Sequence, residues 1–445
     1  MSHDPVCPAS TMIPPLSAPL HGVATVPGDK SISHRAVLFA AMAEGTSHLA
    51  GVLDSDDVRS SMAAVRQLGA QVSLEKQPDG SLAGSVTGWG AAGPRKPEGA
   101  VDCGNSGTTA RLLMGVLAPW DVPVEITGDE SLSRRPMRRI TAPLMKMGVR
   151  FLPEGRETLP LTVRGTHGLR ALTYDAPMAS AQLKTAVLLA GVYAKGTTTV
   201  NEPAPSRNHT ELMLPEFGVS TTAANCTAGV TGPQSLAACE VHVPGDPSSA
   251  AFLVCAAVLK RDSAIQVENV SLNTARISFT RTLERMGAEV SVQRTGAAGK
   301  EPFGTISVCY TANLHGCEVP AEKIASIVDE VPVLALVAAF ARGVTVFREV
   351  GELRVKETDR LAAVVEGLAH LGVEAYIDGN DLYVEGQPGL AVPEGVTLDS
   401  KGDHRLAMTW ALAGLTGNTS VCVENFDAVR ISYPQFLEDI ERLAR

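Results

Sequence analysis

Two kinds of apolar pattern alternate along the chain. In the first, apolar residues recur every three to four positions among charged ones, and the stretch stops at a large apolar residue followed by Gly and then Ala or Val. The stops are Leu68-Gly69-Ala70, Met147-Gly148-Val149, Phe217-Gly218-Val219, Met286-Gly287-Ala288 and Leu371-Gly372-Val373. Each predicts an amphipathic helix closed by a left-handed C′ glycine, with a strand starting just beyond it. PQFLEDIERLAR at the C-terminal end makes a sixth. The second kind is apolar nearly all round: HRAVLFAAMAEG, ARLLMGVLA, QLKTAVLLAGVYAKG, SSAAFLVCAAVL, VPVLALVAAFARG and HRLAMTWALAGL. These predict six buried helices, each leading into a β-rich stretch such as GTTTVNEP or AIQVENVSLN.

One helix of each kind plus several strands makes a unit of roughly 70–85 residues, repeated six times. That period exceeds the common solenoid repeats, so an α/β fold of compact lobes, three units each, is expected. Val26-Pro27-Gly28-Asp29 and Val243-Pro244-Gly245-Asp246 echo each other, and each is followed by serines and a buried helix. They predict the two crossings between lobes. The first lobe is 28–244 and the second is 1–27 with 245–445. The Pro-rich start, through Gly22, reads as an irregular lead-in without the basic and apolar regions of a signal peptide.

Composition narrows the function. Lys and Arg number 38 against 48 Asp and Glu, a net charge of −10, which disfavours nucleic acid and anionic membranes as partners. Aromatic residues are only 4%, too few for a base-stacking platform. The longest apolar run, Val331 to Ala341, has 11 residues, well short of a membrane span of about 20. Eight Cys occur without a CxxC or zinc-finger spacing, and read as reduced, mostly interior thiols of a cytoplasmic protein.

Against that acidic background, basic residues gather at turns and helix starts. Lys30, Ser31 and Arg35 open the first buried helix. Gly104-Asn105-Ser106-Gly107-Thr108-Thr109-Ala110-Arg111 opens the second, and Arg134, Arg135, Arg138 and Arg139 follow. Ser180-Ala181-Gln182 opens the third. Helix N-termini offer unpaired N–H groups and a positive dipole end, so cations there call for an anion. A solvated surface helix start is the plainer reading of each run alone. Asp329 and Glu330 precede the fifth buried helix, as caps or as acids of shifted pKa. Lys356 and Arg360, four apart around Glu357, are expected to share a helix face. Arg405 lies just before the last buried helix, and His209 reads as structural. The runs recur at equivalent positions of a repeat, which suits a small substrate with several negative charges.

The ordered set PGDKSISHR, GNSGTTARL, SRRPM, MASAQLKTAVLLAG, SRNHTE, VPGDPSSAAF, LRVKETDRL and GDHRLAM resembles the 5-enolpyruvylshikimate-3-phosphate synthase family from about Pro27 to Pro434. SAQLK and RNHTE resemble its bacterial class II. The resemblance implies a two-lobed inside-out α/β barrel, the enolpyruvyl transferase fold, with three βαβαββ-type repeats per lobe and the active site in a cleft that closes. It implies transfer of enolpyruvyl from phosphoenolpyruvate to the 5-hydroxyl of shikimate 3-phosphate, with no metal or cofactor, by a monomer. By position, Lys30 meets both substrates. Ser31, Arg35, Ser180, Ala181 and Lys356 hold shikimate 3-phosphate. Gly107, Arg135, Arg360 and Arg405 hold phosphoenolpyruvate, and Gln182 lines the shikimate 3-phosphate site while reaching phosphoenolpyruvate. Asp329 is the base for the hydroxyl and Glu357 handles the proton at the methylene carbon.

Some positions depart from the family pattern. Ser131 stands where many members carry Arg, Ile431 where a Lys is usual, with Arg430 beside it, and Glu352 where some have Asn. Asn273-Thr274-Ala275-Arg276 lacks the Thr of the class II pattern. Gly107 stands where some glyphosate-tolerant forms have Ala, which implies at least partial sensitivity to glyphosate as an inhibitor. The UDP-N-acetylglucosamine enolpyruvyl transferases are the nearest alternative. They usually have a Cys before their Arg-Pro, whereas Gly128 to Arg139 has none and Cys103 lies upstream. A non-catalytic anion-binding relative is the other.

Overall fold

The structure is a computed structural model that describes residues 10–224 and 226–445. The chain forms two compact units. The central unit is Pro27–Pro244 with the short segment Gly296–Pro302. The terminal unit comprises the chain up to Val26, Gly245–Thr295 and Phe303–Arg445. Among the described residues, no helix is long and apolar enough to cross a membrane.

The six sequences that are apolar all round form the helices Lys30–Met42, Gly107–Leu117, Ala181–Tyr193, Pro247–Leu259, Val331–Ala339 and His404–Thr416. Val331–Ala339 is buried along its whole length, and each large aliphatic side chain removed from water there stabilises by roughly 1.5–3 kcal/mol. The five glycine stops all take positive φ, from 79° at Gly372 to 111° at Gly148. At Gly148 the helix Arg138–Met147 ends and the strand Arg150–Leu152 follows. A residue with a Cβ is strained in that conformation.

The repeat is also visible in strand pairing. After each buried helix, a strand pairs in parallel with one from outside that helix's own hairpin. In the central unit Thr46–Val52 takes Glu240–His242, Pro123–Thr127 takes Val101–Asp102, and Gly196–Asn201 takes Thr173–Asp175. In the terminal unit Ala264–Ser271 takes His21–Thr25, Gly343–Phe347 takes Glu318–Val319, and Val421–Glu424 takes Thr397–Asp399. Antiparallel strands complete each sheet, five of four strands and one of three among the described residues. The strand before each Val-Pro-Gly-Asp thus belongs to one unit and the helix after it to the other.

Three expectations need correction. Over 1–9 the irregular lead-in, with Cys7, lies outside the described residues. From Ser10 it fails, because Ser10–Ile13 pairs antiparallel with Val421–Glu424. Exposure alternates there, with Ile13 inward at 1% and Met12 outward at 59%. Pro14 and Pro15 follow the strand rather than interrupt it. Second, Lys356 and Arg360 do not share a helix. Lys356 ends the 3₁₀ turn Gly351–Val355, and Asp359 caps a new helix, Arg360–His370, by accepting the Ala362 N–H at 3.0 Å. Third, Cys103 and Cys255 are buried, but Cys226, Cys239, Cys309, Cys317 and Cys422 are only half-buried.

Two close packings position the functional residues. A Cβ on Gly115 would sit 2.5 Å from the Ala186 carbonyl oxygen, so Gly107–Leu117 and Ala181–Tyr193 pack backbone to backbone. A Cβ on Gly367 would sit 2.3 Å from the Trp410 ring, which draws Arg360–His370 onto His404–Thr416.

Candidate active site

In the central unit, each of the three buried helices starts with a side-chain cap. Asp29 accepts the Ile32 N–H at 2.8 Å, Ser106 the Thr109 N–H at 3.2 Å and Ser180 the Leu183 N–H at 3.4 Å. Lys30, at the first start, lies 3.2 Å from the Asp57 carboxylate. One turn on, Arg35 is 2% exposed and donates to Thr210 Oγ1 at 2.9 Å, Thr185 Oγ1 at 2.7 Å and the Ser31 carbonyl at 2.8 Å. Arg207 donates to Ser31 Oγ at 3.4 Å.

The close packing of the second and third buried helices sets Gln182 beside Thr108. Gln182 Nε2 donates to Thr108 Oγ1 at 3.0 Å, and Oε1 accepts from Arg111 at 3.2 Å and Arg139 at 3.1 Å. Arg135 follows the short helix Glu130–Arg134 and donates to Asn105 Oδ1 at 2.7 Å and Ser131 Oγ at 3.1 Å. Its Nε is buried with no hydrogen-bond partner. A Cβ on Gly107 would lie 2.6 Å from Arg111 Nη1 and 3.4 Å from Arg135 Nη1. The central set is therefore a row of cations, hydroxyls and amides at helix N-termini, the arrangement that binds anions.

The terminal unit carries the acids. Arg360, 1% exposed, donates from Nε to Asp403 at 2.7 Å, from Nη1 to Asp329 at 3.0 Å and from Nη2 to Glu357 at 2.7 Å. Burial disfavours its charge, but the Asp403, Glu357 and Asp329 carboxylates outweigh this and push its pKa above the usual arginine value. Asp403 uses its other oxygen to cap His404–Thr416, accepting the Arg405 N–H at 2.8 Å. Lys356 lies 2.7 Å from Glu352 and 3.7 Å from Asp329. Arg405, 4% exposed, lies 4.0 Å from Glu330 and buries Nε and Nη1 with no hydrogen-bond partner. Such a desolvated guanidinium favours an incoming anion.

The expected residues thus fall into two sets. Lys30, Ser31, Arg35, Gly107, Arg135, Ser180, Ala181 and Gln182 belong to the central unit. Asp329, Lys356, Glu357, Arg360 and Arg405 belong to the terminal unit, where Arg360 joins Asp329 to Glu357. Sequence reasoning missed Asp57 and Asp403, which hold Lys30 and Arg360 from 27 and 43 residues away. Their only local signal was a position at or before a helix start. The departures also have partners. Ser131 accepts from Arg135 and Glu352 pairs with Lys356, while Arg276, which follows the departing Ala275, pairs with Asp246 at 2.8 Å. Cys103 is fully buried, and burial with the nearby Asp102 charge pushes its thiol up to about 12, far from a thiolate nucleophile.

Comparison with known proteins adds independent evidence. The family model described as EPSP synthase (3-phosphoshikimate 1-carboxyvinyltransferase) matches residues 16–440. The 3-phosphoshikimate 1-carboxyvinyltransferase of Shouchella clausii is 43% identical, covering 95% of this chain and 96% of its own. The protein of the same name from Acidiphilium cryptum is 42% identical over 98% and 97%. Among solved structures, EPSP synthase from Acinetobacter baumannii matches with a TM-score of 0.86 at 36% identity, covering 98% of both chains. The enolpyruvyl transferase NikO from Streptomyces tendae, at 20% identity and a TM-score of 0.77 over 98% of both, shares the fold. The chain belongs to the EPSP synthase (3-phosphoshikimate 1-carboxyvinyltransferase) family.

Proposed function

We propose that the chain performs its family's reaction with the two sets of side chains just described. That reaction transfers the enolpyruvyl group of phosphoenolpyruvate to the 5-hydroxyl of shikimate 3-phosphate and releases phosphate. The observation that carries the residue assignments is their placement. Lys30, Ser31, Gly107, Ser180, Ala181, Gln182 and Arg405 all stand at the starts of buried helices, where anionic substrates gain most.

In this reading Ser31, Arg35, Ser180, Ala181 and Lys356 bind shikimate 3-phosphate, and Lys30 reaches both substrates. Gly107, Arg135, Gln182, Arg360 and Arg405 bind phosphoenolpyruvate. Asp329 takes the proton of the 5-hydroxyl as its oxygen adds to C2. Glu357 gives a proton to C3, producing a tetrahedral intermediate. The C2–phosphate bond then breaks, phosphate leaves, and Glu357 recovers the proton from C3. The fixed cations balance phosphate and carboxylate charge throughout. Each unit is read as three repeats, crossing at the two Val-Pro-Gly-Asp sequences, and a monomer in the cytoplasm suffices.

Phosphate release from phosphoenolpyruvate in the presence of shikimate 3-phosphate tests the assignment. Release that depends on both substrates is expected. Release with UDP-N-acetylglucosamine instead would support the sister transferases, against which the buried Cys103 thiol already argues, and no release would leave an anion-binding relative. Glyphosate, with a phosphonate and a carboxylate, is proposed to inhibit at the phosphoenolpyruvate residues. Gly107→Ala, whose methyl would press on Arg111, is expected to raise its inhibition constant, and an unchanged constant would refute the placement.

A further inference from the structure

His34 has no part in the assignments above, yet it lies fully buried one residue before Arg35. Its Nδ1 is 2.8 Å from Ser61 Oγ, on the helix Asp56–Gln67. Ser61 Oγ is 2.8 Å from Thr109 Oγ1, on the helix that Gly107 begins. Thr109 Oγ1 is 2.7 Å from the capping Ser106 Oγ and 3.3 Å from the Asp57 carbonyl oxygen. Three helices therefore meet on one buried polar chain.

Counting protons gives this chain a direction. A carbonyl only accepts, so Thr109 spends its hydroxyl proton on Asp57. Ser106 Oγ already accepts the Thr109 N–H, and its own proton goes to Thr109 Oγ1. Ser61 then also donates to Thr109, whose proton is spent. With the 3.3 Å bond to the Asp57 carbonyl made, Ser61 has none left for His34 and His34 Nδ1 is the donor; were that bond absent, Thr109 would donate to Ser61 and Ser61 to His34.

We infer that His34 is a positioning residue: a neutral imidazole, protonated on Nδ1, that heads the chain Nδ1–H to Ser61 to Thr109 to the Asp57 carbonyl and thereby fixes Lys30 relative to the Gly107 helix start. Asp57 is the residue whose carboxylate holds Lys30 at 3.2 Å, so the chain's far end sets that lysine. Nε2 is buried without a hydrogen-bond partner, which suits a bare lone pair better than a second N–H. Burial, then the charges of Lys30 and Arg35, push the imidazole well below its usual pKa. The consequence for phosphoenolpyruvate rests on the proposed roles of Lys30 and Gly107. The tautomer does not.

Two measurements separate these layers. In a long-range ¹H–¹⁵N spectrum of the whole chain at neutral pH, the resonances missing from His34→Asn identify the His34 ring. Protonated Nδ1 and bare Nε2 are expected; an Nε2–H tautomer or an imidazolium overturns the inference whatever the substrates are. In steady-state kinetics, Asn supplies an amide near Nδ1, whereas Gln reaches only toward Nε2. His34→Gln is expected to raise the KM for phosphoenolpyruvate, which meets both Lys30 and Gly107, about tenfold, and that for shikimate 3-phosphate, which meets Lys30 but not Gly107, by clearly less, while His34→Asn restores most of the loss. Equal losses in the Asn and Gln variants would reduce His34 to a packing residue. An Nδ1–H tautomer without the KM split would instead locate the error in the roles of Lys30 and Gly107.

Discussion

Arg135 and Arg360 have the same guanidinium and the same proposed ligand, but opposite surroundings. Arg360 meets three carboxylates, those of Asp403, Asp329 and Glu357. Arg135 is held by the neutral oxygens of Asn105 and Ser131, and among the described residues no carboxylate lies within ion-pair distance of it. The first guanidinium is balanced by the protein and holds the two proposed acids around itself. The second has only neutral partners, which suits the proposed anionic ligand. The contrast belongs to these two guanidiniums rather than to whole units, since Asp57 pairs with Lys30 in the central unit and Arg405 buries two nitrogens without hydrogen-bond partners in the terminal one.

The largest effects should come from the acids. Asp329→Asn and Glu357→Gln are expected to lower kcat by at least about 10²-fold with the phosphoenolpyruvate KM little changed. A loss confined to KM would break the contrast, since those acids would then act only as counter-ions. Lys184 sharpens it from the other side. This buried central-unit cation is balanced at 2.8 Å by both Glu202 and Glu211. Lys184→Met should leave two buried carboxylates uncompensated and cost about 3–5 kcal/mol in urea unfolding; an unchanged midpoint would mean that the cluster is open to water. Arg135→Gln should do the reverse, raising the phosphoenolpyruvate KM about tenfold with the unfolding midpoint unchanged. A drop in stability instead would show that the neutral oxygens already satisfy its charge.

The smallest effect is one of pH. His34 titrates below its usual 6.5 because burial and the cations Lys30 and Arg35 disfavour its charge. Between the native value and 6.5, the unfolded chain binds a proton that the native chain does not, so stability rises with pH across that window. Acidification from pH 6.5 to 5.5 should cost the wild type about 1 kcal/mol more than His34→Asn. Equal slopes would place a partner acid beside the ring.

How much was legible follows from the range of the forces. Helix stops at Gly69 and Gly148 depend on one residue and its neighbours, and the buried helices on a dozen consecutive side chains, so both could be read. The partner of Lys30 is 27 residues away and that of Arg360 is 43, and no local pattern singles out Asp57 or Asp403 among 48 acids. Ser10–Ile13 was obscured by the prolines after it, because its pairing partner lies at the far end of the chain. The i, i+4 reading of Lys356 and Arg360 failed because Asp359 between them starts a new helix. The site residues themselves came from an ordered set of motifs rather than from spacing, since each cluster alone also fits a solvated surface.

The strands that precede the two Val-Pro-Gly-Asp sequences also bear on synthesis. A ribosome that has released residue 244 has delivered every strand of the three central-unit sheets, including Glu240–His242. The terminal unit is in the opposite position. His21–Thr25 precedes the central unit in the chain yet must wait for Ala264–Ser271 beyond it, and Ser10–Ile13 waits for the still later Val421–Glu424. Pairings of such sequence separation form late and leave strand edges exposed meanwhile. A nascent chain therefore carries two unmatched strands past three completed sheets, and loss of Val421–Glu424 deprives Ser10–Ile13 of its partner.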